Sequence, residues 1–220
     1  MNGLSHRETE TFDIDGPAGR LEAILNLPPA NVRPQAAAVM CHAHPLHGGM
    51  MHFKVIFRAA KGMQSQGIPV LRFNFRGVGR SEGQHDHGVG EQEDVRAALT
   101  EIARRFPGVP LLLGGFSFGA AMAAHVATQE DAVKAILLLG FPITRVTDTR
   151  HLADFKAPVL FVQGGQDEFG SGAAIRDFVA PLGEPKRLEV IEGADHFFTG
   201  RLDELQAVIA EWSAGKPWNR

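Results

Sequence analysis

Six short apolar runs, most of them separated by segments of helical character, set the strongest limit on what this chain can fold into. The runs are AAAVMCH (36–42), IPVLRFNF (68–75), VPLLLGGF (109–116), VKAILLLG (133–140), APVLFVQGG (157–165) and KRLEVIEG (186–193). The intervening segments, with spaced apolar positions, cover 53–66, 91–106, 118–129, 173–182 and 202–212. Continuous apolar strands alternating with helices must be buried on both faces, which means a parallel sheet with helices on either side. Ahead of this pattern, ETETFDID and GRLEAILNL read as two strands joined by a turn at Gly16–Pro17. The expectation is an α/β fold: an eight-stranded, mostly parallel sheet with an antiparallel N-terminal edge.

The chain's 220 residues predict a single domain spanning 1–220. A hydrophobic fraction of 44% and a charged fraction of 21% match a soluble globular protein. The net charge of −3 offers no basic field for nucleic acid or an anionic membrane surface. The apolar runs fall far short of the ~20 residues that span a bilayer. The polar opening MNGLSHRETETFDIDG lacks the profile of a signal peptide, and Cys41 is the single cysteine, so a cytoplasmic setting is expected.

In open α/β sheets, ligands bind beyond the carboxyl ends of the strands. The residues just past each run are therefore the candidates: 42–49, 76–83, Ser117, 141–144, Asp167 and His196. In GFSFG the serine stands between Gly115 and Gly119, after a strand and before an alanine-rich helix. That context reads as a nucleophile elbow, a strained turn that lifts a hydroxyl clear of the sheet toward the positive end of a helix. A serine needs a base, and the base needs an orienting carboxylate. Asp167 in LFVQGGQDE and His196 in VIEGADHFF each follow a strand, in the order Ser…Asp…His. Glu168 and Asp195 are rival carboxylates, but Asp195 adjoins the histidine and is badly placed to face its ring. The backbone N–H groups of Phe118 and His44 are the expected oxyanion donors.

Taken together, HAHPLHGGMMHFKV, VLRFNFRGVGRSEG, GGFSFGA, VQGGQDE and GADHFFTGRLDEL resemble the small, lidless bacterial serine hydrolases of the α/β-hydrolase superfamily. The resemblance implies the α/β-hydrolase fold without a cap domain, with Ser117 as nucleophile, Asp167 as acid and His196 as base. Relatives carry one oxyanion amide at x of a His-Gly-x-Pro segment. Here Ala43 replaces that glycine and His44 occupies x. Many relatives insert a helical lid where this chain has only residues 144–156, so an open site is expected. Pro45, Leu46, Met50, Phe141 and Phe197 are its expected apolar walls, with Phe116 and Phe118 nearby.

The expected activity is cleavage of carboxylic ester or thioester bonds in small accessible substrates, through an acyl-enzyme, with no cofactor and no metal. A dinucleotide enzyme is disfavoured because GVGRSEG follows a middle strand and the chain has no tyrosine. A metal hydrolase, suggested by the crowded HAHPLH and HDH, is disfavoured because HAHPLH lacks an interleaved acidic ligand and no H-E-x-x-H occurs. A non-catalytic protein on the same fold, or an amidase, peptidase or lactone hydrolase, is the remaining alternative. The arginines of RFNFRGVGRSEG are expected to pair with Glu91–Asp94, and Cys41 to be buried and inert.

Overall fold

The computed structural model describes residues 8–146, 149–153 and 155–219. The first seven residues of the polar opening segment lie outside this range. The strands are β1 (Thr9–Gly16), β2 (Gly19–Asn26), β3 (Ala37–Cys41), β4 (Val70–Phe73), β5 (Leu111–Phe116), β6 (Val133–Leu139), β7 (Val159–Gly164) and β8 (Lys186–Ile191). The helices are α1 (Lys54–Gln64), α2 (Gly90–Arg105), α3 (Phe118–Ala127), α4 (Arg150–Ala153), α5 (Gly172–Val179) and α6 (Leu202–Ala214). One eight-stranded sheet runs β1-β2-β4-β3-β5-β6-β7-β8. The β1–β2 and β2–β4 pairs are antiparallel, and every other pair is parallel.

The apolar runs divide their side chains between two cores, one on each face of the sheet. Ala37, Val39 and Cys41 of β3 point to one side, where α2, α3 and α5 bring Ile102, Ala124 and Ile175. Ala38 and Met40 point to the other, under Ile56 and Met63 of α1 and Ile209 and Trp212 of α6. This two-sided burial is why the central strands are uniformly apolar while the edge strand β1 alternates exposed and covered residues.

Between β6 and β7 the described residues form only a 3-10 turn at Ile143–Arg145 and the one-turn α4. No cap domain covers the carboxyl ends of the strands. The crossing between β3 and β4 places the residue 42–49 loop and the β5–α3 turn side by side at that open end, because β3 pairs with both β4 and β5.

Phe161 of β7 is fully buried, with ring centroids 6.2 Å from Phe141 and 6.3 Å from Phe178. Phe161→Ala should lower the unfolding free energy by about 3–5 kcal/mol. Urea unfolding at neutral pH checks this, with the denaturant slope unchanged.

Candidate active site

Ser117 occupies the single-residue turn between β5 and α3 at φ 55° and ψ −119°. A backbone of this kind costs on the order of 1–3 kcal/mol and persists only where its surroundings hold it. Here the Ser117 amide donates to the Leu139 carbonyl of β6 at 2.9 Å, and the Ser117 carbonyl accepts from Ala120 and Ala121 at 2.9 and 3.1 Å. Its two flanking glycines are required by close approach. A Cβ on Gly119 would lie 2.4 Å from the carbonyl oxygens of both Cys41 and His42, and one on Gly115 would lie 2.3 Å from the Gly119 carbonyl carbon and oxygen.

His196 follows β8 in a turn organised by its neighbour. Asp195 Oδ1 accepts the amides of Phe197 at 3.0 Å and Thr199 at 2.8 Å. The Thr199 amide is the main reason the Asp195 carboxyl sits below its usual value. Asp195 is thus occupied with backbone, while Asp167 faces the imidazole. His196 Nδ1 is 2.7 Å from Asp167 Oδ2, and His196 Nε2 is 3.0 Å from Ser117 Oγ. A carboxylate beside Nδ1 assigns the ring proton to that nitrogen and leaves Nε2 to accept from the hydroxyl. Asp167 and His196 are both buried. The imidazole is wedged between rings, with centroids 4.7 Å from Phe169, 4.8 Å from Phe116 and 5.2 Å from Phe197.

Two buried residues stand behind this line: Gln163, which was not singled out from the sequence, and His42, which opened the candidate segment 42–49 without a role of its own. Gln163 of β7 donates from Nε2 to Asp167 Oδ2 at 2.8 Å and to Gly170 O at 2.9 Å, and its Oε1 accepts from the Phe141 amide at 2.8 Å. Its signal was a lone amide in an otherwise apolar run. His42, past β3, donates from Nδ1 to the Ala43 carbonyl at 2.6 Å and accepts the Phe75 amide on Nε2 at 3.0 Å. The Ala43 carbonyl and the His44 N–H belong to one planar peptide, so His42 fixes the direction in which that N–H points. No described residue accepts from the amides of His44 or Phe118.

The ring of His44 packs against Phe118 at 5.0 Å, His47 at 4.6 Å and His85 at 5.0 Å. Burial, then the neighbouring His47 and His85, lowers the pKa of His44. His85 Nδ1 lies 2.7 Å from Oε1 of buried Glu91, which accepts the amides of Asp86 and Gly88, each at 2.8 Å. Of the expected walls, Pro45 is half-buried and Leu46, Met50 and Phe197 are exposed. Phe141 is not a wall. Its ring is fully buried, stacked 5.5 Å from Phe178 in the core shared with α5, because the chain turns inward after β6.

The arginine pairing also differs from expectation. Arg76 alone reaches the 91–94 segment, bonding Asp94 at 2.7 Å. Arg80 pairs with Glu22 at 3.1 Å. Buried Arg72 donates to Asn26 Oδ1 at 3.1 Å and Met51 O at 2.5 Å, and burial lowers its pKa to about 10. Cys41 is fully buried, and that burial raises its pKa. Among the described residues, no group of three His, Cys, Asp or Glu side chains is arranged to hold a metal ion. No described helix is long and apolar enough to cross a membrane.

The eight-stranded sheet with a serine at the β5–α3 turn defines a hydrolase class, and comparison with known proteins gives the family. The model of the alpha/beta hydrolase domain family matches residues 34–211, and the chain belongs to that family. An alpha-beta serine hydrolase homologue from Coxiella burnetii is similar at 38% identity and a TM-score of 0.86, over 92% of this chain and 96% of that one. An α/β serine hydrolase without lid from Xanthomonas campestris is similar at 33% identity and a TM-score of 0.85, over 98% and 97% of the two chains. An uncharacterised protein of Rickettsia prowazekii is 34% identical over 90% of this chain and 86% of its own length.

Burial lowers the pKa of His42 from the usual 6.5 to about 4. Between those values the unfolded chain binds the proton that the folded one refuses, so stability present above pH 6.5 is lost as the pH falls. The loss from this residue reaches about 3 kcal/mol at pH 4. Urea unfolding across pH 4–7 should therefore show a shallower acid limb for His42→Gln than for the natural protein. Equal slopes would assign the acid sensitivity elsewhere.

Proposed function

We propose that the protein is a cytoplasmic serine hydrolase that cleaves carboxylic ester or thioester bonds of small, accessible substrates through an acyl-enzyme. The observation that carries the reading is the unbroken line Asp167–His196–Ser117, with separations of 2.7 and 3.0 Å. In this reading His196 Nε2 takes the hydroxyl proton as Ser117 Oγ attacks the carbonyl carbon. The amides of Phe118 and His44, which no described residue engages, hold the oxygen that becomes negative. The imidazolium then gives its proton to the departing alcohol or thiol. Water enters by the same base and releases the acid. Asp167, fixed by Gln163 and the Phe169 amide, keeps the ring in the tautomer this sequence needs.

Likeness to serine hydrolases at 38% and 33% identity supports the choice of serine chemistry. The single cysteine, which can form no intrachain disulfide, supports a reducing cytoplasmic setting. Pro45, Leu46, Met50 and Phe197 line the entry, and no cap closes over it.

Ser117→Ala should abolish turnover of p-nitrophenyl acetate and labelling by a fluorophosphonate, with circular dichroism unchanged. Asp167→Asn should cost on the order of 10³–10⁴ in kcat by presenting the wrong tautomer. A silent Asp167→Asn would remove the acid from the mechanism.

A further inference from the structure

A cavity of about 510 Å³ lies between residues 48–55, which lead into α1, and residues 197–202, which follow His196. Its apolar lining includes Met50, Phe53, Phe197 and Leu202, and its polar lining includes His52 and Lys54. Phe197 is the wall shared with the proposed active site. Its ring stands 5.2 Å from the His196 imidazole and 6.0 Å from the Phe53 ring. Phe53 in turn stacks 5.7 Å from Phe116, which packs 4.8 Å from the same imidazole. Met50 is 43% and Phe197 47% exposed, a large apolar surface to leave facing water at the lip of a groove.

The geometry of acyl transfer decides which part of a substrate meets this surface. The carbonyl carbon carries an oxygen, an acyl substituent and a leaving atom. The oxygen is directed to the amides of Phe118 and His44. The leaving atom must come within hydrogen-bond reach of His196 Nε2, since that nitrogen returns to it the proton taken from Ser117. As the Oγ–C bond forms and the C–O bond to the alcohol breaks, the departing oxygen is protonated beside the ring that Phe197 covers. A substituent on that oxygen, leaving beside the imidazole, can run past Phe197 onto the apolar surface of the groove. The acyl substituent takes the remaining direction, away from the imidazole.

We propose that this groove is the leaving-group subsite and takes an apolar alkyl or aryl alcohol portion, so that Met50 and Phe197 set specificity for the alcohol side of an ester. The inference rests on the ester- or thioester-cleaving reading above and adds an orientation to it. The alcohol departs during acylation, so the groove acts on kcat/KM. It has no hold on hydrolysis of an acyl-enzyme that has already lost the alcohol.

The test uses two ester series with the whole protein: acetates of methyl to hexyl alcohol, and methyl esters of acetic to hexanoic acid. In the alcohol series kcat/KM should rise up to about fourfold for each methylene buried, until the groove is filled. Met50→Trp, which fills the groove, should lower the hexyl-to-methyl ratio about tenfold while the hexanoate-to-acetate ratio shifts less than twofold. Phe197→Ala, which removes the shared wall, should lower the same alcohol ratio and provides a second route if the tryptophan variant folds poorly. A flat alcohol series in the natural protein, or variants that move the acid series instead, would overturn the proposal. If neither series is turned over and Ser117 resists a fluorophosphonate, the underlying reading fails and the subsite falls with it. Turnover and labelling with a flat alcohol series would sink the subsite alone.

Discussion

The seating of the β5–α3 turn on the end of β3 is the contact on which the rest of this end of the molecule depends. A helix backbone comes close enough to the Cys41 and His42 carbonyls that no Cβ fits at residue 119, and the same turn folds on itself so tightly that none fits at 115. Ser117 is thereby held at positive φ by packing on every side. Backbone strain of this kind is tolerated because the core beneath is continuous: β5 lies between β3 and β6, fully buried on both faces. The same seating brings the loop that starts at His42 against the first turn of α3, where the rings of His44 and Phe118 meet at 5.0 Å.

Neutral hydrogen bonds in dry surroundings, more than charge pairs, hold the other partners. Gln163 satisfies three backbone groups and one carboxylate oxygen from within β7, and His42 spends both ring nitrogens on backbone. Removing either would strand several buried polar atoms at once, each costing about 1–3 kcal/mol. Both residues act through orientation. One holds the carboxylate that faces the imidazole, and the other fixes the Ala43–His44 peptide in the loop past β3. Preorganisation of this sort lowers the reorganisation needed as charge develops, which is the largest lever a polar site has.

The alternation of apolar runs was enough to read the eight strands, their near-parallel arrangement and the antiparallel edge, because burial on both faces leaves no freedom for polar residues in the central strands. Ser117, Asp167 and His196 were legible for the same topological reason: each stands just past a strand, and those strands end on one side of the sheet. Side-chain direction was less legible. Phe141 follows β6 as Ser117 follows β5, yet its ring turns down into the core beside Phe178, which depends on how α5 packs and not on local pattern. Arg72, Arg76 and Arg80 are evenly spaced, but the packing of β4 and its following loop against β2 and α2 sends them to Asn26, Asp94 and Glu22 respectively. Gln163 was hidden, and the role of His42 within the candidate segment 42–49 was too, because a buried polar residue declares its role only when partners such as Asp167, Gly170 and Phe75 are known.

Without a cap, the two sides of the opening must differ in chemistry if substrate is to bind in one orientation. They do differ. On the α2 side, His44, His47, His85 and His87 form a chain of ring contacts over Phe118, backed by the buried carboxylate of Glu91. On the α6 side, Met50, Phe53 and Phe197 offer apolar surface, and the polar residues that line the groove include His52 and Lys54 but no acid. Burying a methylene against the apolar surface of the second side gains free energy that covering the polar imidazoles of the first does not match. A lidless hydrolase cannot gain discrimination by closing over its substrate, so contrast between fixed walls is the means left to it. Here the apolar wall is continuous with the rings packed on the His196 imidazole, which in the proposed reading ties the grip on the leaving group to the residue that protonates it.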